Sequence, residues 1–85
     1  FGTSGARAVA IDAAGNTLAG AKYIFTEARS ATAPAQWQAG LFFLLEQLPL
    51  ELRQQIKAIA IDGTSSSVLL CDTTGNPIVA PLLYN

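Results

Sequence analysis

Two short stretches of glycine and hydroxyl residues are the places in this sequence where chemistry could be done. The first is Gly2-Thr3-Ser4-Gly5, followed by Arg7. The second is Gly63-Thr64-Ser65-Ser66-Ser67, preceded by Asp62. Glycine lets a backbone approach a ligand closely and take positive φ, and turns with unblocked N–H groups form concave sites for anions such as phosphate. Arg7 would add a fixed charge toward that phosphate. The spaced Gly-Lys-Ser/Thr of a Walker A loop is absent, as is G-x-G-x-x-G, and a bare Gly-Thr-Ser-Gly is by itself an ordinary turn. The hydroxyls of residues 64–67 both donate and accept hydrogen bonds, which suits polyol recognition; the same run reads equally well as a solvated loop. Asp62 closes an apolar stretch beside it, and either serves a site or accepts N–H bonds from its own loop.

Composition removes other chemistries. Histidine is absent and Cys71 is the sole cysteine, so serine–histidine catalysis, a disulfide framework and a thiolate metal cluster all lack their residues within this segment. The net charge is −1 with no basic cluster, and a nucleic-acid partner requires a positive stripe. No apolar run approaches the roughly 20 residues that span a bilayer, and no signal peptide is visible. Charged residues make up 13% and hydrophobic ones 51%, against about 25% charged in an ordinary soluble domain. Such an apolar surface is expected to pack against further chain. Phe1 opens directly on a loop, and the apolar run 82–85 carries no stop signal; neither resembles a natural terminus.

The elements that must carry the two loops read as follows. Residues 7–12 form a strand, 13–16 a turn cluster and 17–25 the return strand of a hairpin. Residues 26–33 are a loop. Residues 34–48 form a helix, because Trp37, Leu41, Leu44, Leu45 and Leu48 make one apolar stripe. Pro34 suits its first turn, Ser30 or Thr32 would cap it, and Pro49 ends it. Residues 50–55 add a short helical turn. Residues 56–62 read as a strand buried on both faces, and 67–72 with 78–83 as a second hairpin around Thr73-Thr74-Gly75-Asn76-Pro77. Trp37 and Cys71 are expected in the core, and Lys22, Glu27 and Arg29 in solvent. The whole is a mixed α/β sheet.

The pattern repeats itself. Gly2-Thr3-Ser4 leads into a strand ending at Asp12 and an Asp-x-x-Gly-Asn turn; Gly63-Thr64-Ser65 leads into a strand ending at Asp72 and the same turn. Both aspartates are structural, since aspartate bonds its own turn backbone. In the second copy a strand precedes the loop, so the first copy predicts a strand just before Phe1. Parallel strands there would bring both loops to one sheet edge, a natural ligand site.

Taken in order, these motifs resemble the FGGY carbohydrate kinases along nearly the whole chain. Phe1-Gly2-Thr3-Ser4-Gly5-Ala6-Arg7-Ala8 is similar to the family's first phosphate motif, Asp-x-Gly-Thr-(Ser/Thr)-x-x-Arg, whose Asp would precede Phe1. Ile59-Ala60-Ile61-Asp62-Gly63-Thr64-Ser65-Ser66 resembles the buried strand and sugar-side loop. Residues 72–85, ending in Leu82-Leu83-Tyr84-Asn85, resemble the hairpin that leads to an aromatic-Asn-Asp motif. The resemblance implies an actin-like, ribonuclease-H-like fold of which residues 1–85 are part of the N-terminal domain. It implies ATP and Mg²⁺ as cofactors and a sugar, most nearly the ketopentose of ribulose- and xylulose-kinase-like members from cyanobacteria and plants, as substrate. Gly2, Thr3, Ser4 and Arg7 would contact the ATP phosphates, and Ser4, Gly5, Asp62, Ser65 and Ser66 the sugar. The segment would hold no catalytic base and no metal ligand, its partner would be the remainder of its own chain, and its place the cytoplasm, or the chloroplast in a plant. Isolated, it would be inactive.

Two rivals share parts of the pattern. Another actin-like or chaperone-type ATPase would have the phosphate hairpin without sugar chemistry, and the serine run with Tyr84-Asn85 disfavours it. A small non-enzymatic α/β binding module would use the hairpins only as structure. Flanking sequence discriminates, because a kinase requires an upstream strand ending in Asp and several hundred downstream residues.

Overall fold

The computed structural model describes residues 1–26 and 33–83. Its elements are strands β1 (Gly5–Ile11) and β2 (Thr17–Ile24), then helices α1 (Ala33–Gln47) and α2 (Leu50–Arg53). This is a small mixed α/β arrangement: an antiparallel two-stranded sheet with α1 packed on one face.

The hairpin follows the period-2 rule for strands. Ala6 and Ala10 are buried toward α1 and Ala8 is half-buried, while Arg7, Val9 and Ile11 are exposed. On β2, Ala19, Ala21 and Tyr23 lie half-buried on the same side. A face built from alanines lets a helix approach closely. Partners run from Gly5–Ile24 to Ala10–Ala19, with a bulge before Ile11–Thr17. Asp12 ties the turn: its Oδ1 accepts from the N–H groups of Ala14 and Asn16, both at 2.9 Å. Gly15 supplies the left-handed step at φ 84°, where a side chain would be strained. The expected strands therefore form, one or two residues shorter or shifted at their ends.

Helix α1 begins at Ala33 and places Pro34 in its first turn, where the missing N–H breaks no bond. The capping residues suggested at Ser30 and Thr32, like Glu27, Arg29 and most of the loop, lie outside the described residues. Of the apolar stripe, Leu44 (2% exposed) and Leu48 (4%) are buried. Trp37, Leu41 and Leu45 are half-buried, so Trp37 is not the core residue expected. Gly40 is buried against the Tyr23 ring. The rings then run in sequence: Phe1 to Phe25 at 6.5 Å, Phe25 to Tyr23 at 6.0 Å and Tyr23 to Phe43 at 5.3 Å. After Pro49, α2 provides the one further turn expected of residues 50–55.

Three expectations are corrected. Residues 56–62 are not a buried strand: they form no ladder, and Ile59 and Ile61 are 65% and 66% exposed. A strand exists only through its neighbours' hydrogen bonds, and no other strand among the described residues reaches this segment. The second hairpin is reduced to two isolated bridges, Val68–Leu82 and Cys71–Pro77, plus the bond from the Ile78 N–H to the Leu70 carbonyl at 3.1 Å. Its turn nevertheless copies the first: Asp72 Oδ1 accepts from Thr74 N and Asn76 N at 2.9 Å each. Cys71 is exposed rather than buried, because no second layer covers this two-bridge ladder.

Candidate functional site

The two Gly-Thr-Ser loops meet. The Phe1 amino group donates to the Asp62 carbonyl at 2.8 Å, and Thr64 Oγ1 donates to the Phe1 carbonyl at 3.3 Å. These bonds join positions 61 and 63 residues apart in sequence. Each loop sits where it does for a local reason. The first is drawn tight by the Gly2 N–H bonding the Gly5 carbonyl at 2.8 Å, and is fastened to the hairpin by the Phe25 N–H bonding the Ser4 carbonyl at 3.0 Å. The second turns through Ser65 and Ser66, with the Ser67 N–H reaching the Thr64 carbonyl at 3.4 Å.

Beside this junction lies a cavity of about 520 Å³. Gly2 and Thr3 line it from the first loop, Asp62, Gly63, Thr64 and Ser67 from the second; Phe25, Trp37, Leu41 and Phe42 form an apolar wall. Among the described residues, Asp62 is the one carboxylate on the lining, and no lysine or arginine reaches it. A ligand here would therefore meet backbone N–H groups, hydroxyls and one acid against an apolar backing, a common composition for small-molecule pockets.

Of the residues singled out by sequence, Gly2, Thr3 and Asp62 line the cavity. Asp62 also performs the loop-holding task, its Oδ1 accepting from the Gly63 N–H at 3.0 Å. Ser4 contributes its carbonyl to the hairpin and stays exposed. Gly5 opens β1, where an added Cβ would collide with the Tyr23 carbonyl, so packing alone requires glycine there. Ser65 and Ser66 are exposed and do not line the cavity, and Ser66 is held at φ 64°. A left-handed serine costs roughly 1–2 kcal/mol, and such strain is concentrated at functional sites. Arg7 is not brought to the cavity. It stands on the open sheet face directly opposite Lys22.

The aromatic wall escaped the sequence reading, while Thr64 and Ser67 belong to the hydroxyl run singled out there but were not among the residues given a sugar contact. Thr64 lies between residues that were chosen, and its hydroxyl bond to a backbone carbonyl has no sequence signal. Phe42 sits one position off the apolar stripe, which is itself the trace of a second face in use.

The first loop keeps its donors open. The Thr3 and Ser4 N–H groups and hydroxyls make no hydrogen bond among the described residues, leaving donors for an anion. No cluster of three or more metal-binding side chains forms among the described residues. No family model matches this sequence.

Proposed function

We propose that this chain is part of the N-terminal domain of an ATP-dependent sugar kinase of the FGGY type, with an actin-like fold and a ketopentose such as D-ribulose or D-xylulose as substrate. The observation that supports it most is the junction of the two Gly-Thr-Ser loops through Phe1, Asp62 and Thr64 beside one cavity. Phosphoryl transfer is largely positioning and charge neutralisation, and a donor-rich loop abutting a hydroxyl-rich loop brings a phosphate and a polyol side by side. Thr3 and Ser4 orient the transferred phosphate through N–H and O–H donors. Thr64, Ser65 and Ser66 pair sugar hydroxyls at the other side. Asp62 keeps its loop in place through Gly63 and turns a carboxylate toward the cavity. The apolar wall of Phe25, Trp37 and Leu41 excludes water from the reacting groups. Mg²⁺, bound with ATP, would supply charge neutralisation at the phosphates. The base that takes the sugar proton belongs to chain beyond these residues, as in the family, and Arg7 serves the phosphate only if it moves from the open sheet face. Among the described residues no helix is long and apolar enough to cross a membrane, and we place the enzyme in the cytoplasm, or in the chloroplast of a plant.

The test is sugar-dependent ADP release by the protein carrying residues 1–85 with its downstream domain. D-ribulose or D-xylulose should be turned over, and Thr3→Val, which removes a hydroxyl at nearly constant shape, should lose turnover while ATP affinity changes less. Residues 1–85 alone should release no ADP. Normal turnover by Thr3→Val, or release by the isolated segment, refutes the assignment.

A further inference from the structure

Thr64 stands at the loop junction with its single hydroxyl proton already committed, since Oγ1 donates to the Phe1 carbonyl at 3.3 Å. That carbonyl and the Gly2 N–H belong to one peptide group, and the Gly2 N–H bonds the Gly5 carbonyl at 2.8 Å. A peptide group is a rigid plane. The plane that opens the first loop is therefore gripped at both edges, by Gly5 from within its own loop and by Thr64 from the other. The next two residues, Thr3 and Ser4, carry the open N–H donors of that loop. Only the φ and ψ of Gly2 lie between this plane and the Thr3 N–H. Glycine holds those two angles less firmly than any other residue, so the aim of the donors depends on the two hydrogen bonds.

A hydroxyl has one proton to donate and two lone pairs that accept. With its proton given to Phe1, Thr64 Oγ1 keeps only acceptor capacity toward the cavity that it lines. It can accept from a ligand O–H or N–H. An ionised phosphate oxygen or a ketone carbonyl has no proton to offer it. The other hydroxyls of the two loops, on Thr3, Ser4, Ser65, Ser66 and Ser67, make no bond to the protein among the described residues, and each can turn to donate or to accept. Thr64 is thus the hydroxyl of the junction whose polarity is already set.

We infer that Thr64 is a positioning and specificity-determining residue of this site: its hydroxyl pins the Phe1–Gly2 peptide that aims the phosphate donors, and accepts a hydrogen bond from a hydroxyl of the sugar. A sugar O–H on Oγ1 completes a chain that runs through the Thr64 proton to the Phe1 carbonyl, and bonds linked in this way strengthen one another. Sugar on the second loop then steadies the donors of the first, and phosphate on the first loop favours sugar on the second by the same factor. The sugar half of this inference rests on the kinase reading; the pinning of the Phe1–Gly2 plane does not.

Thr64→Val removes the hydroxyl at nearly constant shape, and Thr64→Ser keeps the hydroxyl without the methyl group. One readout needs no ligand. The Gly2 amide should exchange about two- to twelvefold faster in Thr64→Val, the equivalent of one neutral hydrogen bond, and Thr64→Ser should restore it. The Phe25 amide, which bonds the Ser4 carbonyl, should change little in either variant and shows that the hairpin is intact. The second readout is the ketose dissociation constant of the complete protein, with and without a saturating non-hydrolysable ATP analogue and Mg²⁺. The analogue should tighten ketose binding about fivefold or more in the natural protein and in Thr64→Ser, and not in Thr64→Val. Unchanged Gly2 exchange in Thr64→Val, or coupling that survives it, overturns the inference. Gly2 exchange that depends on Thr64 in a protein that binds no ketose refutes the kinase reading instead, and leaves the peptide plane held by Thr64.

Discussion

Gly40 is the position where two well-known effects of glycine replacement oppose each other, and the geometry decides between them. It lies inside α1, where alanine is favoured over glycine by about 0.8–1.0 kcal/mol. It is also where the Tyr23 ring rests on the helix. A Cβ at Gly40 would stand 2.9 Å from Tyr23 Cδ1 and 3.4 Å from both Tyr23 Cε1 and Phe25 Cε1. Carbon atoms pack at about 3.5–4.0 Å, so the ring must retreat by about half an ångström or more. Tyr23 has little room to do so, with Phe25 on one side and Phe43 on the other. Overpacking of this kind costs about 1–3 kcal/mol. The balance for Gly40→Ala is therefore a loss of up to about 2 kcal/mol, or several degrees in Tm for a chain of this size. Urea unfolding followed by Trp37 fluorescence measures it. In a Tyr23→Ala background the collision is gone, and the same replacement should instead stabilise by about the helix-propensity difference. A gain of about 1 kcal/mol in the natural background would show that Tyr23 does not rest on α1, and would remove the link between hairpin and helix.

Leu44→Ala should cost about 2–5 kcal/mol, toward the lower end because a core this thin collapses readily; a loss within experimental error in urea would mean that α1 is not docked. Asp12 is held below the ordinary aspartate pKa, first by the Asn16 side chain and then by the Asn16 N–H; Asp72 is held below it by the Asn76 N–H and then the Thr74 hydroxyl. A carboxyl depressed on folding stabilises above its unfolded value and loses that contribution as pH falls through the folded one. The protection of the Asn16 and Asn76 amides, relative to their intrinsic exchange at each pH, should thus fall below about pH 3.9, and Asp12→Asn with Asp72→Asn should abolish that acid limb. Under the proposed function, Ser65→Ala in the complete protein should raise the ketose KM about two- to twelvefold, the equivalent of one neutral hydrogen bond, with the ATP KM less affected; equal shifts would return the serine run to solvent.

The hairpin, its turn and α1 were legible because each is set by short-range rules. Alternation gave β1 and β2, Asp-x-x-Gly gave the turns, and Pro34, Pro49 and the leucine stripe gave the helix. Segment 56–62 was misjudged because apolar β-branched composition describes what a strand would bury, not whether a partner stands beside it. Cys71 failed for the same reason, since burial depends on a layer that its own residues do not encode. The repeat anticipated that the two loops would lie together, but by way of parallel strands at a sheet edge that the described residues do not form. The lining was not, because Phe25, Trp37 and Phe42 look like ordinary core residues, and because the Phe1–Asp62 and Thr64–Phe1 bonds engage backbone atoms present at every position. Arg7 was assigned by its place after Gly-Thr-Ser-Gly, yet strand parity turns it to the open face.

The two Asp turns and the loop junction also differ in when they can form. Each turn closes between residues four apart, as in the Asn16 N–H to Asp12 and Asn76 N–H to Asp72 bonds, whereas the junction spans 61 residues. The entropy of closing a loop grows with the logarithm of its length. The turns are thus early, self-sufficient events, and the junction is the last to assemble and the first to open under partial unfolding. A ligand touching both loops acts as a clamp on that weakest joint. Its occupancy would then be read in the opening rate of the contact between Phe1 and residues 62–64, and each increment of free ligand above its dissociation constant would deepen that closure by mass action.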